Sequence, residues 1–335
     1  MQVKAASYLQ KCMASLPTLT DNRLMTFSTT ALARPSTSLI AAALAAVYLV
    51  WGSTYLAIRW ALVSLPPFFQ MGTRFLVAGA LLMLFLRLRG EKLPNFQKES
   101  NPSSPQPWYW RNALVIGTLM LAGGMGGVAV ASQTIGSGLI ATFIAIVPMM
   151  VALIGLAFGK RPSRLEIVGM LIGFGGVIFL VQGKSFGAST VGLLAMFGAT
   201  LTWSIGSVLQ TTKLPLALGP MGFATEMLCG GAVLLAISFA LGERVALPLD
   251  TRALLAWGYL VVFGSLVAFS AYLFLLAHVS PAMATSYAFV NPVIALFLGV
   301  WLGGELVQKS EWIACAVILF GVLMFFAARL KADAR

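Results

Sequence analysis

The chain has 335 residues, of which 59% are apolar and only 10% charged, with a formal net charge of +12. A soluble domain carries about 25% charged residues, so a water-covered globule is excluded and a polytopic membrane protein is expected. Cys12, Cys229 and Cys315 are scattered, with no CxxC pair, and neither a disulfide nor a metal cluster is expected.

Residues 1–37 are polar and basic, and they are expected to form a poorly ordered tail, for which Met25 offers an alternative start. The run SLIAAALAAVYLVWGSTYLAI after Arg34 competes as a signal peptide, but it is too long for the apolar region of one and reads as an uncleaved first span. Apolar runs of about 20 residues continue along the chain. They place ten helices near 38–58, 67–86, 112–131, 138–158, 165–181, 189–209, 218–240, 253–277, 281–302 and 312–328. Most connections are short, so neighbouring helices run antiparallel. The long one, GEKLPNFQKESNPSSPQPWYW (90–110), is polar and proline-rich and reads as a flexible surface segment.

The basic excess is a topology signal. With the N-terminus inside, the cytoplasmic segments hold 16 of the 22 Lys and Arg, among them Arg87, Arg89, Lys92, Lys160, Arg161, Arg329 and Lys331. The outer segments hold Arg59, Lys184, Arg244, Arg252 and Lys309. This is the positive-inside bias, and it puts both termini in the cytoplasm. No nucleic-acid partner is implied.

The sequence repeats itself. At an offset of 152, WGSTY (51–55) faces WSIGS (203–207), Arg74 faces Glu226, and TRFLVAGALL faces TEMLCGGAVLL. After the long loop the offset falls to about 144, where GLIATFIAIVPMMVALI faces AMATSYAFVNPVIALFL and Pro148 faces Pro292. Glu166 and Glu311 each open a last span. The expected units are a first five-helix repeat at 38–183 and a second at 188–330. Five is odd, so the second must enter from the opposite side, giving inverted-topology repeats of the kind found in secondary carriers. The five basic residues of the loop after the second span shrink in its repeat partner to Arg244 and Arg252, balanced by Glu243 and Asp250. Inversion requires that loss.

Arg74 and Glu226 are the ionisable residues placed well inside spans. A charge at that depth costs about 2.5–3.5 kcal/mol or more, so both are expected to face the bundle interior as substrate-binding or coupling groups; satisfying a helix junction is the structural alternative. Pro148 and Pro292, mid-span at matched positions, each remove a helix hydrogen bond and are candidate gating breaks. Trp51, Ser53, Tyr55, Gln133, Trp203, Ser204, Tyr287 and Asn291 are the accompanying candidates, together with Thr54, Thr142 and Ser286. Any one of them is more often an interhelical hydrogen bond than a ligand contact, and it is their recurrence on spans 1, 4, 6 and 9 that singles out the group. The glycine clusters GGMGG (123–127), GMLIG (169–173) and GVWLG (299–303) permit close helix approach.

Enzyme chemistry finds no foothold. There is one histidine, His278, and neither HExxH nor GxSxG occurs; GKS at 183–185 lacks the upstream glycine of a phosphate loop. No cofactor or metal is expected.

Ten spans in two halves, WGSTY, RFLVAGALL, and the twin segments ATFIAIVPMMVALIGLAFGKR and ATSYAFVNPVIALFLGVWLGGE together resemble the EamA family of the drug/metabolite transporter superfamily. The string WGSTYLAIRWALVSLPPFFQMGTRFLVAG is similar to its YedA-type inner-membrane permeases, and the resemblance covers about residues 38–328. It implies a bacterial inner-membrane carrier exporting amino acids, metabolites or drugs. The family's Glu after the fourth span of a half is present as Glu305, but the first half reads Gly159-Lys160-Arg161, so any role of that Glu carries over to Glu305 alone. The expected mechanism is alternating access around a midplane cavity lined by spans 1, 2, 4, 6, 7 and 9. Arg74 would attract an anionic group, and Glu226 would bind a cation or couple a proton. A membrane-embedded sensor or scaffold and a channel are the competing classes.

Overall fold

The computed structural model describes residues 36–94, 108–159, 162–182, 189–279, 281–284 and 286–333. The basic tail, most of the loop at 90–110, Lys160, Arg161 and the GKS run lie outside the described residues. Those that are described form helices and short connections, with no strand among them.

Ten apolar helices follow in chain order. They are α1 (Thr37–Ala61), α2 (Pro67–Leu88), α3 (Tyr109–Ala131), α4 (Ser137–Phe158), α5 (Arg164–Val181), α6 (Thr190–Thr212), α7 (Pro220–Ala240), α8 (Thr251–His278), α9 (Tyr287–Trp301) and α10 (Lys309–Asp333). Nine are long and apolar enough to cross a bilayer; the tenth, α9, is shorter and follows the helical turn Pro281–Ala284. Large apolar side chains stand exposed around the bundle, including Leu171, Ile178, Phe197, Phe239 and Phe320. Lipid, rather than water, is the solvent that accepts them.

Helix starts follow local chemistry. Ser36 caps α1 and Ser189 caps α6 through their hydroxyls. Ser163 and Glu166 form a reciprocal capping box at α5, and the Glu311 carboxylate accepts from Gln308 N at 2.9 Å at the start of α10. Thus both carboxylates that open the last span of a half act as caps.

The helices pair as the expected repeats would pair them. α2 packs on α7 and α5 on α10, while α1 packs on α8 and α9 as α6 packs on α3 and α4. Glycines make both central pairs possible. A Cβ on Gly72 would meet Leu235 N at 2.9 Å, one on Gly231 would meet Leu76 N at 2.9 Å, and one on Gly79 would meet Leu228 N at 3.1 Å. As the position in α2 rises from 72 to 79, its partner in α7 falls from 235 to 228, so the two helices run antiparallel. In the second pair Gly169 meets Phe325, Gly173 meets Gly321 and Gly176 meets Ile318, again antiparallel.

Hydropathy gave no sign of one shared feature. Both α3 and α8 begin with nine α-helical residues (Tyr109–Gly117, Thr251–Tyr259) and then widen into eight residues of π-helix, Thr118–Met125 and Leu260–Val267. The proline pair is less alike than matched positions suggested. α4 breaks at Ala145-Ile146, and Pro148 lies in the first turn of the segment that resumes at Val147, where its missing N–H has no helical partner to lose. Pro292 lies inside the continuous helix α9, and the nearest described non-helical residue before it is Ser286.

Candidate functional site

Arg74 is buried in α2. Its Nε donates to Ser265 Oγ at 3.0 Å, in the π-helical part of α8, and its guanidinium carbon lies 4.9 Å from the centroid of the Phe75 ring. No carboxylate among the described residues pairs with it. The guanidinium lies against Gly264, where a Cβ would come within 3.1 Å of Nη2. One hydroxyl and an aromatic face do not neutralise a cation withdrawn from water, so the site keeps a net positive charge.

Trp51 of α1 meets the same point of α8 from the other side. Its indole Nε1 donates to Gly264 O at 3.1 Å. Its ring stands edge-on to Tyr287 of α9 at 4.8 Å between centroids and tilted to Tyr272 of α8 at 5.3 Å, with the two tyrosines 5.6 Å apart. Trp51, Tyr272 and Tyr287 therefore build an aromatic wall one glycine away from Arg74. One helical turn beyond Tyr287, Asn291 is buried, and its Oδ1 has no hydrogen-bond partner. A buried amide oxygen left unsatisfied marks a position where a ligand or water donor is wanted. The wall also holds the Tyr48–Ser286 hydroxyl pair, and Ser53 Oγ lies 2.7 Å from Tyr259 OH.

The second half is built differently. Trp203, the repeat partner of Trp51, packs on the π-helical part of α3, where a Cβ on Gly124 would meet its ring at 2.8 Å. Ser204 is buried and donates back to Thr200 O at 2.6 Å, an intrahelical bond. Thr54 and Thr142 likewise bond within their own helices. Glu226 is buried in α7, and no described residue donates to its carboxylate. Gly79 faces Leu228, so Glu226 lies level with Leu81, seven positions beyond Arg74 and about 10 Å away along the axes. The two charges flank the α2–α7 crossing without forming an ion pair.

Of the residues singled out from the sequence, Arg74, Trp51, Tyr287 and Asn291 come together, with Tyr55, one turn beyond Trp51, close enough to Tyr287 to interact with it electrostatically; Ser53 pairs instead with Tyr259. Tyr55 also packs, half-buried, against the main core. Trp203, Ser204 and Glu226 belong to the other half's interior, and Gln133 stands exposed in the turn after α3. Sequence reasoning missed α8 as a wall of the site: Gly264, Ser265 and Tyr272 come from it, and a single serine in an apolar run gives no cue.

A second polar group ties three helices at one end of the bundle. Glu305, just after α9, accepts from Arg59 Nη1 at 2.7 Å, from Ser137 N at 2.8 Å and from Gly138 N at 3.3 Å. The carboxylate thus caps α4 and pairs with α1. At the same end Glu243 accepts from Phe68 N and Phe69 N at 3.1 and 2.8 Å, capping α2.

Comparison with known proteins accords with this architecture. The family model of the EamA-like transporter family matches residues 37–182 and 190–327. The chain is 43% identical to the uncharacterized inner membrane transporter YedA of Escherichia coli over 283 residues, covering 84% of this chain and 89% of the relative. It is 27% identical to the uncharacterized transporter sll0355 of Synechocystis, covering 84% and 88%, and 26% identical to Protein PecM of Dickeya dadantii, covering 84% and 92%. A solved crystal structure, 20% identical, shares the fold with a TM-score of 0.58 over 88% of this chain and 99% of its own. The chain is an all-helical, multi-pass protein of the inner membrane, and it belongs to the EamA-like transporter family.

Proposed function

We propose that this transporter carries a small amino acid, metabolite or drug outward across the inner membrane by alternating access, its two halves rocking about an interior that Arg74 keeps positive. The observation that carries the reading is the unneutralised Arg74 guanidinium beside the Trp51–Tyr272–Tyr287 wall and the orphaned Asn291 oxygen. A buried cation with spare donors attracts a carboxylate or another anionic group. The antiparallel packing of α2 on α7 and of α5 on α10 is what inverted repeats require, the Lys and Arg bias supports cytoplasmic termini, and inverted halves are the machinery of alternation. Glu226, without a donor and about 10 Å away, binds a cation or couples a proton. The interruptions ahead of Pro148 and Pro292 loosen the ends of α4 and α9.

The test is counterflow in proteoliposomes against a panel of amino acids, sugars and cationic dyes. Saturable exchange of at least one anionic or zwitterionic solute is expected. Conductance without saturation, or no flux of any solute in a folded preparation, rejects the carrier.

A further inference from the structure

The two ends of the bundle are not held in the same way. At the end of Arg59, Glu243 and Glu305, α4 packs tightly on α9: a Cβ on Gly138 would meet Leu296 Cα at 2.7 Å, and one on Gly299 would meet Ser137 Oγ at 2.9 Å. The carboxylate of Glu305 fills the slot that Gly136 and Gly299 leave open, within 2.8 and 2.5 Å of where their Cβ atoms would stand. Its side chain is 4% exposed, and it engages α1 and α4 simultaneously. At the opposite end the second half of α4 makes no comparable packing with α9 among the described residues. There Glu91, the repeat partner of Glu243, stands exposed in a groove with Leu218 and Met221 at the start of α7, and no N–H of α7 donates to it. The first half carries Gly159-Lys160-Arg161 where the second carries Gly303-Gly304-Glu305, so the repeat supplies basic residues in place of the second carboxylate.

We propose that Glu305 is the lock of the gate at its end, and that the absence of a matching carboxylate in the first half makes the state closed at the Glu305 end the resting state of the carrier. The lock rests on the alternating-access reading. For the gate to open, the carboxylate must leave two backbone N–H groups and a guanidinium together. A charge-assisted set of that kind has no neutral substitute, and a carboxylate at a helix N-terminus also opposes the positive end of the helix dipole. In the first half the sequence puts Lys160 and Arg161 in place of Gly304 and Glu305, and neither side chain can accept from a backbone N–H, so no equal lock is encoded there. Two closed states of one duplicated fold then differ in stability because of one residue.

The experiment is a spin-label distance measurement on the full chain in nanodiscs, with Cys12, Cys229 and Cys315 replaced by alanine and labels at Q133C and L306C. Both positions are exposed and flank the lock. The parent is expected to show mainly the short distance. Glu305→Gln keeps the side-chain size and removes the charge, and it should raise the long-distance fraction by at least about threefold. Gly299→Ala leaves every charge in place but fills the slot, and it should shift the distribution the same way; Arg59→Gln should do so by less. The two further variants keep the proposal open to refutation if Glu305→Gln fails to fold. Two populations whose ratio ignores these variants, with only a lower melting temperature, overturn the lock and leave alternation standing. A single distance in the parent and in every variant, with and without transported solute, overturns both.

Discussion

At the level of single residues, the cost of charge in lipid made part of the site legible. An arginine eight residues into an apolar run must find a polar interior, and Arg74 does, at Ser265. What surrounds it was not legible, because its hydrogen-bond partner lies 191 positions away and is a serine beside a glycine, both ordinary in spans. In the sequence Arg59 is only a boundary charge contributing to topology; its pairing with Glu305 depends on a contact 246 positions apart. Arg74→Ala is expected to reduce counterflow of an anionic solute by at least about 100-fold, the loss of one buried charge-assisted contact of roughly 3 kcal/mol. Arg74→Lys should keep part of it with a raised KM, and wild-type flux in Arg74→Ala counts against the assignment. Glu226→Gln is expected to leave a transporter whose rate no longer depends on pH between about 5 and 8. Initial rates across a pH series check it, and a profile unchanged from the parent removes Glu226 from coupling.

Whole helices were more legible than their interiors. Apolar length found all ten, and their ends fell within a few residues except at α9, which starts at Tyr287 after a separate turn, and at α10, which runs on to Asp333. The wide turns in α3 and α8 escaped notice because one extra residue in a turn leaves hydropathy unchanged. The glycine clusters were correctly expected to allow close approach, and contact geometry adds which glycine touches what. A Cβ on Gly321 would meet Gly173 N at 2.5 Å and Gly169 O at 2.8 Å, whereas one on Gly258 meets nothing within 4 Å. Gly321→Ala is therefore expected to cost about 1–3 kcal/mol through overpacking. Gly258→Ala should be neutral or stabilise by about 0.5–1 kcal/mol. Thermal unfolding in detergent compares the two, and equal melting temperatures count against the crossing described for α5 and α10.

Across the whole molecule, offsets of 152 and 144 point to a duplication, while the contacts between the two stretches come only from folding. Inversion makes a direct prediction: cysteines placed at Lys92 and Arg244, which are repeat-related loops, should label from opposite sides of the membrane with an impermeant maleimide. Labelling from one side ends the inverted account. The π-helical stretches at Thr118–Met125 and Leu260–Val267 have a consequence of their own. A widened turn holds one surplus residue, and tightening it to α-geometry turns everything beyond it by about 100° and advances it by about 1.5 Å. Gly264 and Ser265 lie within the widened stretch of α8, so migration of that surplus residue along the helix would swing the serine away from the guanidinium. On the carrier reading proposed above, each half would carry a screw thread with one spare notch, and slipping it would re-dress the proposed binding chamber while the outer frame kept its crossings.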